Sequence, residues 1–360
     1  FFSSIISCSA FIGSSGIILL MYRLLQCDDD KQTTETRCSA LLQRTRFCKA
    51  CLYVATPLAI LAALATLAEG CAPSKPRCDG TPVDPKATHE TCELYENLKR
   101  KLADRVMFGH QDTLAGGVGW DSEQIGFDKD EKSDIKDVTG DYPAVYGWDL
   151  GWAKDRDRSE NVDGVPHEDI KRWTIQAYKR GGVNTFSMHL NNPVTKGDKS
   201  CFDPTPAVPS ILPGEPLHGE FLKYLDFLAA FLKELKDDDG TFIPVIFRPY
   251  HEYNQKWSWW GKESCTDAEF LALWKMTVSY FRDTHNIHHL LYTISPQDVW
   301  TESAYMERYP GDDQVDILGL DWYGLKSEEG SWQWLGRTLS MLTKIAKKKN
   351  KPSALTEVGF

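Results

Sequence analysis

Seven times between Val106 and Phe360, a short apolar run rich in β-branched residues stops abruptly at Asp, His, Glu or Asn. The runs lie near residues 106, 144, 183, 242, 289, 315 and 353. Helical patterns separate them: Phe221, Leu225, Leu228, Leu232 and Leu235 share one side of a helix, and Thr266-Asp-Ala-Glu269 is a capping box opening another. Strands alternating with helices predict parallel strands with their polar ends gathered at one carboxyl face. A doubly wound sheet shares this alternation, but no Gly-x-Gly-x-x-Gly turn follows the first run. The expected fold is therefore α/β, a (β/α)8 TIM barrel truncated after strand 7. The chain stops three residues after Glu357, which leaves no sequence for an eighth strand and helix.

The richest run is Ile243 to Gly261, whose apolar first half gives way to Arg248, His251, Glu252 and Asn254, then Trp257, Trp259 and Trp260. Charges at the end of a buried strand are costly unless they face a polar cavity, and an enzyme cleft is the usual reason for one. Glu252 and Glu357 end the fourth and seventh strands, so a closed barrel lets them face each other. Two carboxylates about 5 to 5.5 Å apart are what retaining glycoside hydrolysis needs. Arg248 can keep one ionised, while walls of Trp257, Trp259 and Trp260 can raise the pKa of the other. His110, His189, His251 and Asp321 are open to a metal reading, but they come from separate strands with no His-x-x-x-His pair, so neither metal nor cofactor is expected. Twelve Trp exceed what a core requires and suit a sugar cleft. Trp173, Trp274 and Trp334 sit at helical spacing with apolar residues and are expected in the core. The long, glycine-bearing loop 112–140 is expected to do functional work. The competing reading is a carbohydrate-binding module or inactive scaffold, which has no need of both glutamates.

A formal charge of −10 with no basic face argues against a nucleic-acid partner, and no protein partner is implied. Residues 1–71 read as leader: Arg44, Arg46 and Lys49 precede the apolar run Leu52 to Leu67, then small residues and Cys71, the order of a secretory signal. The domain is thus expected to be secreted or at the cell surface. Its membrane contact is limited to that signal or to a lipid on Cys71, although Glu69 is a poor match to a lipoprotein signal. A membrane span is the structural alternative, for which about 16 apolar residues is short. Residues 72–87, with Pro73, Pro76, Pro82 and Pro85, read as a stiff linker, and residues 88–360 as a catalytic domain lacking its C-terminal end. Ten cysteines fit an oxidising compartment. Cys201 and Cys265 fall in the loops after strands three and four and are expected to pair.

Arg248-Pro-Tyr-His-Glu-Tyr-Asn254 followed by Trp257-Ser-Trp-Trp-Gly261 resembles the acid/base signature of glycoside hydrolase family 26, the β-mannanases. The resemblance runs from about Pro82 to Phe360 and takes in Phe108-Gly-His-Gln111, residues 137–149, His189-Leu-Asn-Asn-Pro193, Asp321-Trp-Tyr323 and Glu357-Val-Gly-Phe360. It implies a (β/α)8 barrel hydrolysing internal β-1,4-mannosidic bonds of mannan, galactomannan or glucomannan with retention. Glu252 then matches the general acid/base and Glu357 the nucleophile. His189 and His251 match sugar-contacting histidines, Tyr323 the tyrosine bonded to the nucleophile, and Trp257 the platform beside the cleaved sugar. Arg248, Asn254, Trp260, Asp321 and His110 complete the expected substrate-binding set. Met188 stands where many relatives carry Trp, which alters the wall and not the chemistry. Activity on β-1,3-xylan or mixed-linkage β-glucan is the alternative the resemblance leaves open.

Overall fold

The computed structural model describes residues 10–12, 78, 82–101, 105–121, 132–152, 154, 158–323 and 331–359. Apart from Ala10–Ile12, the leader-like residues 1–71 lie outside the described residues, as do Pro73, Pro76 and the middle of loop 112–140. Seven parallel strands follow one another around a curled sheet: β1 (Val106–Gln111), β2 (Val145–Asp149), β3 (Val183–Ser187), β4 (Val245–Arg248), β5 (Leu290–Ile294), β6 (Ile317–Trp322) and β7 (Ser353–Val358). The eighth place is taken by three residues, Ala10–Ile12, which pair antiparallel with both β7 and β1. The truncated seven-stranded barrel expected from the sequence is thus present, with this short segment between its first and last strands.

The helices are α1 (His89–Lys101), α2 (His167–Lys179), α3 (His218–Glu234), α4 (Asp267–Ser279) and α5 (Ser331–Lys348). Their starts follow local chemistry. Thr266 and Glu269 form the expected reciprocal cap of α4, and Glu168 and Asp169 occupy the first turn of α2, where carboxylates offset unpaired amides. The apolar side of α3 buries Phe221, Leu225, Leu228 and Leu232. A smaller cluster joins Val145, Ile246, Leu291, Ile317 and Ala354 of five strands to Tyr95 and Leu98 of α1, as side chains filling a barrel do. Below it, the latter part of the Pro-rich stretch is docked on the barrel. Val83 N donates to Asp316 Oδ1 at 2.7 Å, and His288 Nδ1 lies 2.7 Å from Asp84 Oδ2.

Two expectations are corrected here. Trp173 and Trp274 are buried, but Trp334, in the first turn of α5, is 49% exposed because its ring meets Trp300, itself half in water. Cys201 and Cys265 are buried free thiols and not a disulfide. Each thiol instead faces carbonyls of its own loop: Lys199 O at 3.6 Å for Cys201, and Trp260 O at 3.5 Å and Gly261 O at 3.6 Å for Cys265. Among the described residues the disulfide is Cys78–Cys92, with Cα atoms 5.5 Å apart, tying Cys78 to α1.

Candidate active site

Parallel strands in register bring their last residues to one face, and the polar ends anticipated from the sequence meet there. Ser187 of β3 pairs with Arg248 of β4, and Asp321 of β6 with Glu357 of β7. The register of β7 slips between Leu355 and Glu357, so Thr356 and Glu357 both reach the Asp321 side. Gly319 permits that approach: a Cβ there would stand 2.8 Å from Thr356 Oγ1.

Arg248 is the hub of the site. It is 4% exposed; Nη1 donates to Asp321 Oδ2 at 2.9 Å and to Ser295 Oγ at 3.0 Å, and Nη2 donates to Glu357 Oε1. Burial opposes its charge, but Asp321 and Glu357 more than offset this and hold its pKa above the usual value. Asp321 also accepts from Ser295 Oγ at 2.9 Å and Thr356 Oγ1 at 2.6 Å. Tyr323 donates its hydroxyl to Glu357 Oε2 at 2.9 Å. Glu357 therefore has a donor on each oxygen.

Glu252 is placed differently. The chain turns sharply after β4, with φ of 50° at Tyr250 and 54° at Glu252, left-handed values rarely taken by side-chain-bearing residues and tolerated where surroundings enforce them. Here Glu252 N donates to Ser295 O at 2.8 Å, and Trp257 Nε1 reaches back to Glu252 Oε2 at 2.6 Å. Burial first, then the charges of Asp321 and Glu357, push Glu252 well above the ordinary carboxyl range, against the indole donor and the Arg248 charge. One oxygen from each of Glu252, Asp321 and Glu357 lies within 4.8 Å of the other two. These three carboxylates are the group among the described residues able to hold a cation, with the Arg248 guanidinium already bonded to two of them.

His189 forms the adjoining wall. Its ring stacks on Trp257 at 5.6 Å, meets His251 edge-on at 4.5 Å, and lies 5.8 Å from Phe202, which is 53% exposed. Asp149 grips it twice: His189 N donates to Oδ1 at 3.1 Å, and Nδ1 lies 2.8 Å from Oδ2. Burial opposes charge on the ring, but Asp149 outweighs it and raises His189 to about 9. His251 goes the other way: burial, then the His189 and Arg248 charges, lower it well below the usual value. One ring is charged at neutrality and its neighbour is not.

Two of the expected sugar contacts are bonded to backbone of the site loops, and a third is buried. Trp260 is wholly buried and donates to His251 O at 2.8 Å, so it braces His251 from behind. Asn254 exchanges two hydrogen bonds with the Gln297 backbone, Nδ2 to O at 2.6 Å and Oδ1 from N at 2.9 Å, and so locks the β4 and β5 loops together. His110 is buried at the end of β1 with its Nδ1 unpartnered among the described residues, and burial lowers its pKa. The sequence reading assigned no role to Asp149 or Phe202, although Asp149 ends a strand as the other site residues do, and that position was the available signal.

The chain is similar to several known proteins. Residues 83–347 match the family model described as glycosyl hydrolase family 26. A mannan endo-1,4-beta-mannosidase of Bifidobacterium adolescentis is 34% identical over 82% of this chain, which spans only 30% of that relative. A mannan endo-1,4-beta-mannosidase of Bacillus subtilis is 30% identical over 78% of this chain and 73% of its own length. Among solved structures, a GH26 beta-mannanase from Bacteroides ovatus superposes with a TM-score of 0.68 at 37% identity, covering 74% of this chain and 75% of that one. With the family model matching residues 83–347 and a relative 30% identical over 73% of its own length, the chain belongs to glycosyl hydrolase family 26.

Proposed function

We propose that this chain hydrolyses internal β-1,4-mannosidic bonds of mannan polysaccharides with retention of configuration. The observation that carries the reading is the Glu252–Glu357 arrangement: carboxylate oxygens within 4.8 Å, one group held protonated by burial and neighbouring charge, the other bonded by Arg248 and Tyr323. An inverting pair would stand about 6.5 to 9.5 Å apart to admit water between them. Glu357 attacks the anomeric carbon while Glu252 gives its proton to the departing oxygen. Glu252 then takes a proton from the water that breaks the glycosyl-enzyme bond. His189 and His251 are suited to the ring hydroxyls and Trp257 to the pyranose face, and a site that pairs a hydroxyl rejects sugars that place it elsewhere. The mannan substrate is inferred from the relatives' names. Action outside the cell belongs to the same reading, since such polymers are met there and the order of residues ahead of Cys71 is that of an export signal.

The test is product analysis on galactomannan, glucomannan, xylan and lichenan with two variants. Glu357→Ala is expected to abolish turnover of every substrate. Glu252→Ala is expected to lose about 10²- to 10⁴-fold on polymer yet keep most turnover of an aryl mannoside whose leaving group needs no proton. Equal loss on good and poor leaving groups would overturn the acid assignment.

A further inference from the structure

Tryptophan burial divides sharply along this chain. Of twelve Trp, the exposed ones are Trp300 (54%), Trp332 (61%) and Trp334 (49%), and all three lie between the end of β5 and the first turn of α5. They form a built arrangement. The Trp300 ring stands edge-on to Trp322 at 5.2 Å and 76°, and to Trp334 at 5.3 Å and 87°. Trp322 is only 2% exposed, so it anchors the other two rings. The Arg337 guanidinium lies 5.1 Å from the Trp334 ring. Indoles left half in water forgo the stabilisation that burial would give them, and a cluster of them marks a contact surface.

Their place in the fold says what they contact. Trp300 closely follows Gln297, which is locked to Asn254 beside Glu252, and Asp298, whose N donates to Asp321 O at 3.3 Å. Trp322 immediately precedes Tyr323, the donor to Glu357. The cluster thus sits at the ends of β5 and β6, next along the chain to Asp321 and Tyr323, with Trp322 turned to the face of β6 opposite Asp321. Phe202 and Trp257 form aromatic wall on the β3–β4 side of Glu252. A polysaccharide longer than the few units at the carboxylates extends past the strand ends, and the C–H face of a pyranose stacks on an indole.

We propose that Trp300 and Trp334, braced by Trp322, form a rim subsite that takes neutral β-linked hexose units of the polysaccharide beyond those held at Glu252 and Glu357. The proposal rests on reading the chain as a polysaccharide hydrolase. It is tested in the full chain with the pair Trp300→Ala/Trp334→Ala and the ring-preserving pair Trp300→Tyr/Trp334→Tyr. Measurements are kcat and KM on galactomannan and on an aryl β-mannobioside, with native electrophoresis through gels holding galactomannan, glucomannan, lichenan or xylan. The alanine pair is expected to raise KM on the polymer about tenfold and to lose retardation by the polymer that the wild type cleaves. The aryl substrate should be turned over unchanged, and the tyrosine pair should recover most of the loss. Unchanged KM and retardation, or equal loss on the short substrate, overturns the rim site. Cleavage of lichenan in place of mannan would overturn the substrate assignment alone, and the same comparison on lichenan still decides the subsite. A check free of variants is N-bromosuccinimide oxidation read by peptide mass spectrometry: the cleaved polymer should protect Trp300 and Trp334, and undiminished oxidation of both contradicts the proposal.

Discussion

Asp149→Asn removes a charge without removing an atom, which makes it the sharpest probe of the wall beside the two glutamates. The Asp149 carboxylate accepts from Gly151 N at 2.7 Å, Ser187 Oγ at 2.7 Å, His189 N at 3.1 Å and the His189 ring at 2.8 Å. Gly151 is required beside it, since a Cβ there would fall 2.2 Å from His189 O. An asparagine can still accept the two backbone amides through its oxygen, so the turn should survive, but its NH2 group now faces the His189 ring. Burial is then opposed only by the Glu357 and Asp163 charges, and His189, at about 9 with Asp149 present, should fall toward its ordinary 6.5. If the charged ring is the working form, about a tenth of the variant carries it at pH 7.5 against nearly all of the wild type. The expected result is a roughly tenfold fall in kcat/KM at pH 7.5 that shrinks toward pH 5.5. The stability effect has a definite sign. A raised histidine pKa stabilises the fold fully below 6.5 and loses that effect as pH rises through about 9. At about 1.4 kcal/mol per pKa unit the variant should be up to ~3 kcal/mol less stable at pH 6 and nearly equal to wild type at pH 10. Denaturant titrations and pH–rate profiles check both. A variant whose profile matches wild type from pH 5 to 9 would refute the reasoning, as would a His189 NMR titration midpoint that does not move.

Arg308 is 2% exposed and donates to Asp267 Oδ1 at 2.7 Å, Cys265 O at 2.6 Å, Tyr253 O at 3.2 Å and Lys262 O at 3.3 Å, bracing the loop that carries Trp257. Arg308→Met should therefore cost about 3 kcal/mol or more in urea unfolding, and a loss below 1 kcal/mol would show the brace to be dispensable. Cys201 and Cys265 should resist iodoacetamide in the folded protein and both react in denaturant, while the Cys78–Cys92 peptide stays linked until reduced; a Cys201–Cys265 peptide would contradict the structure.

The order of strands and helices was legible in the sequence because it follows from short-range periodicity. A buried parallel strand must be apolar throughout and a covering helix apolar on one side, and both patterns survive in 245–248 and 218–234 without reference to anything distant. Glu252 and Glu357 were legible for a related reason: each ends such a run, and parallel strands send their ends to one face. What the sequence left undetermined depends on angles around those ends and on residues far apart along the chain. The left-handed turn that swings Trp257 onto Glu252 is a backbone choice enforced by Ser295, 43 positions away. Asp149 meets His189 because β2 and β3 are neighbours in register, and the thiols of Cys201 and Cys265 stay apart because each faces its own loop. Trp260 and Trp334 have the same side chain and opposite fates, one wholly buried behind His251 and one half in water. Local pattern sets which residues want burial, and only the packed barrel decides which of them obtain it.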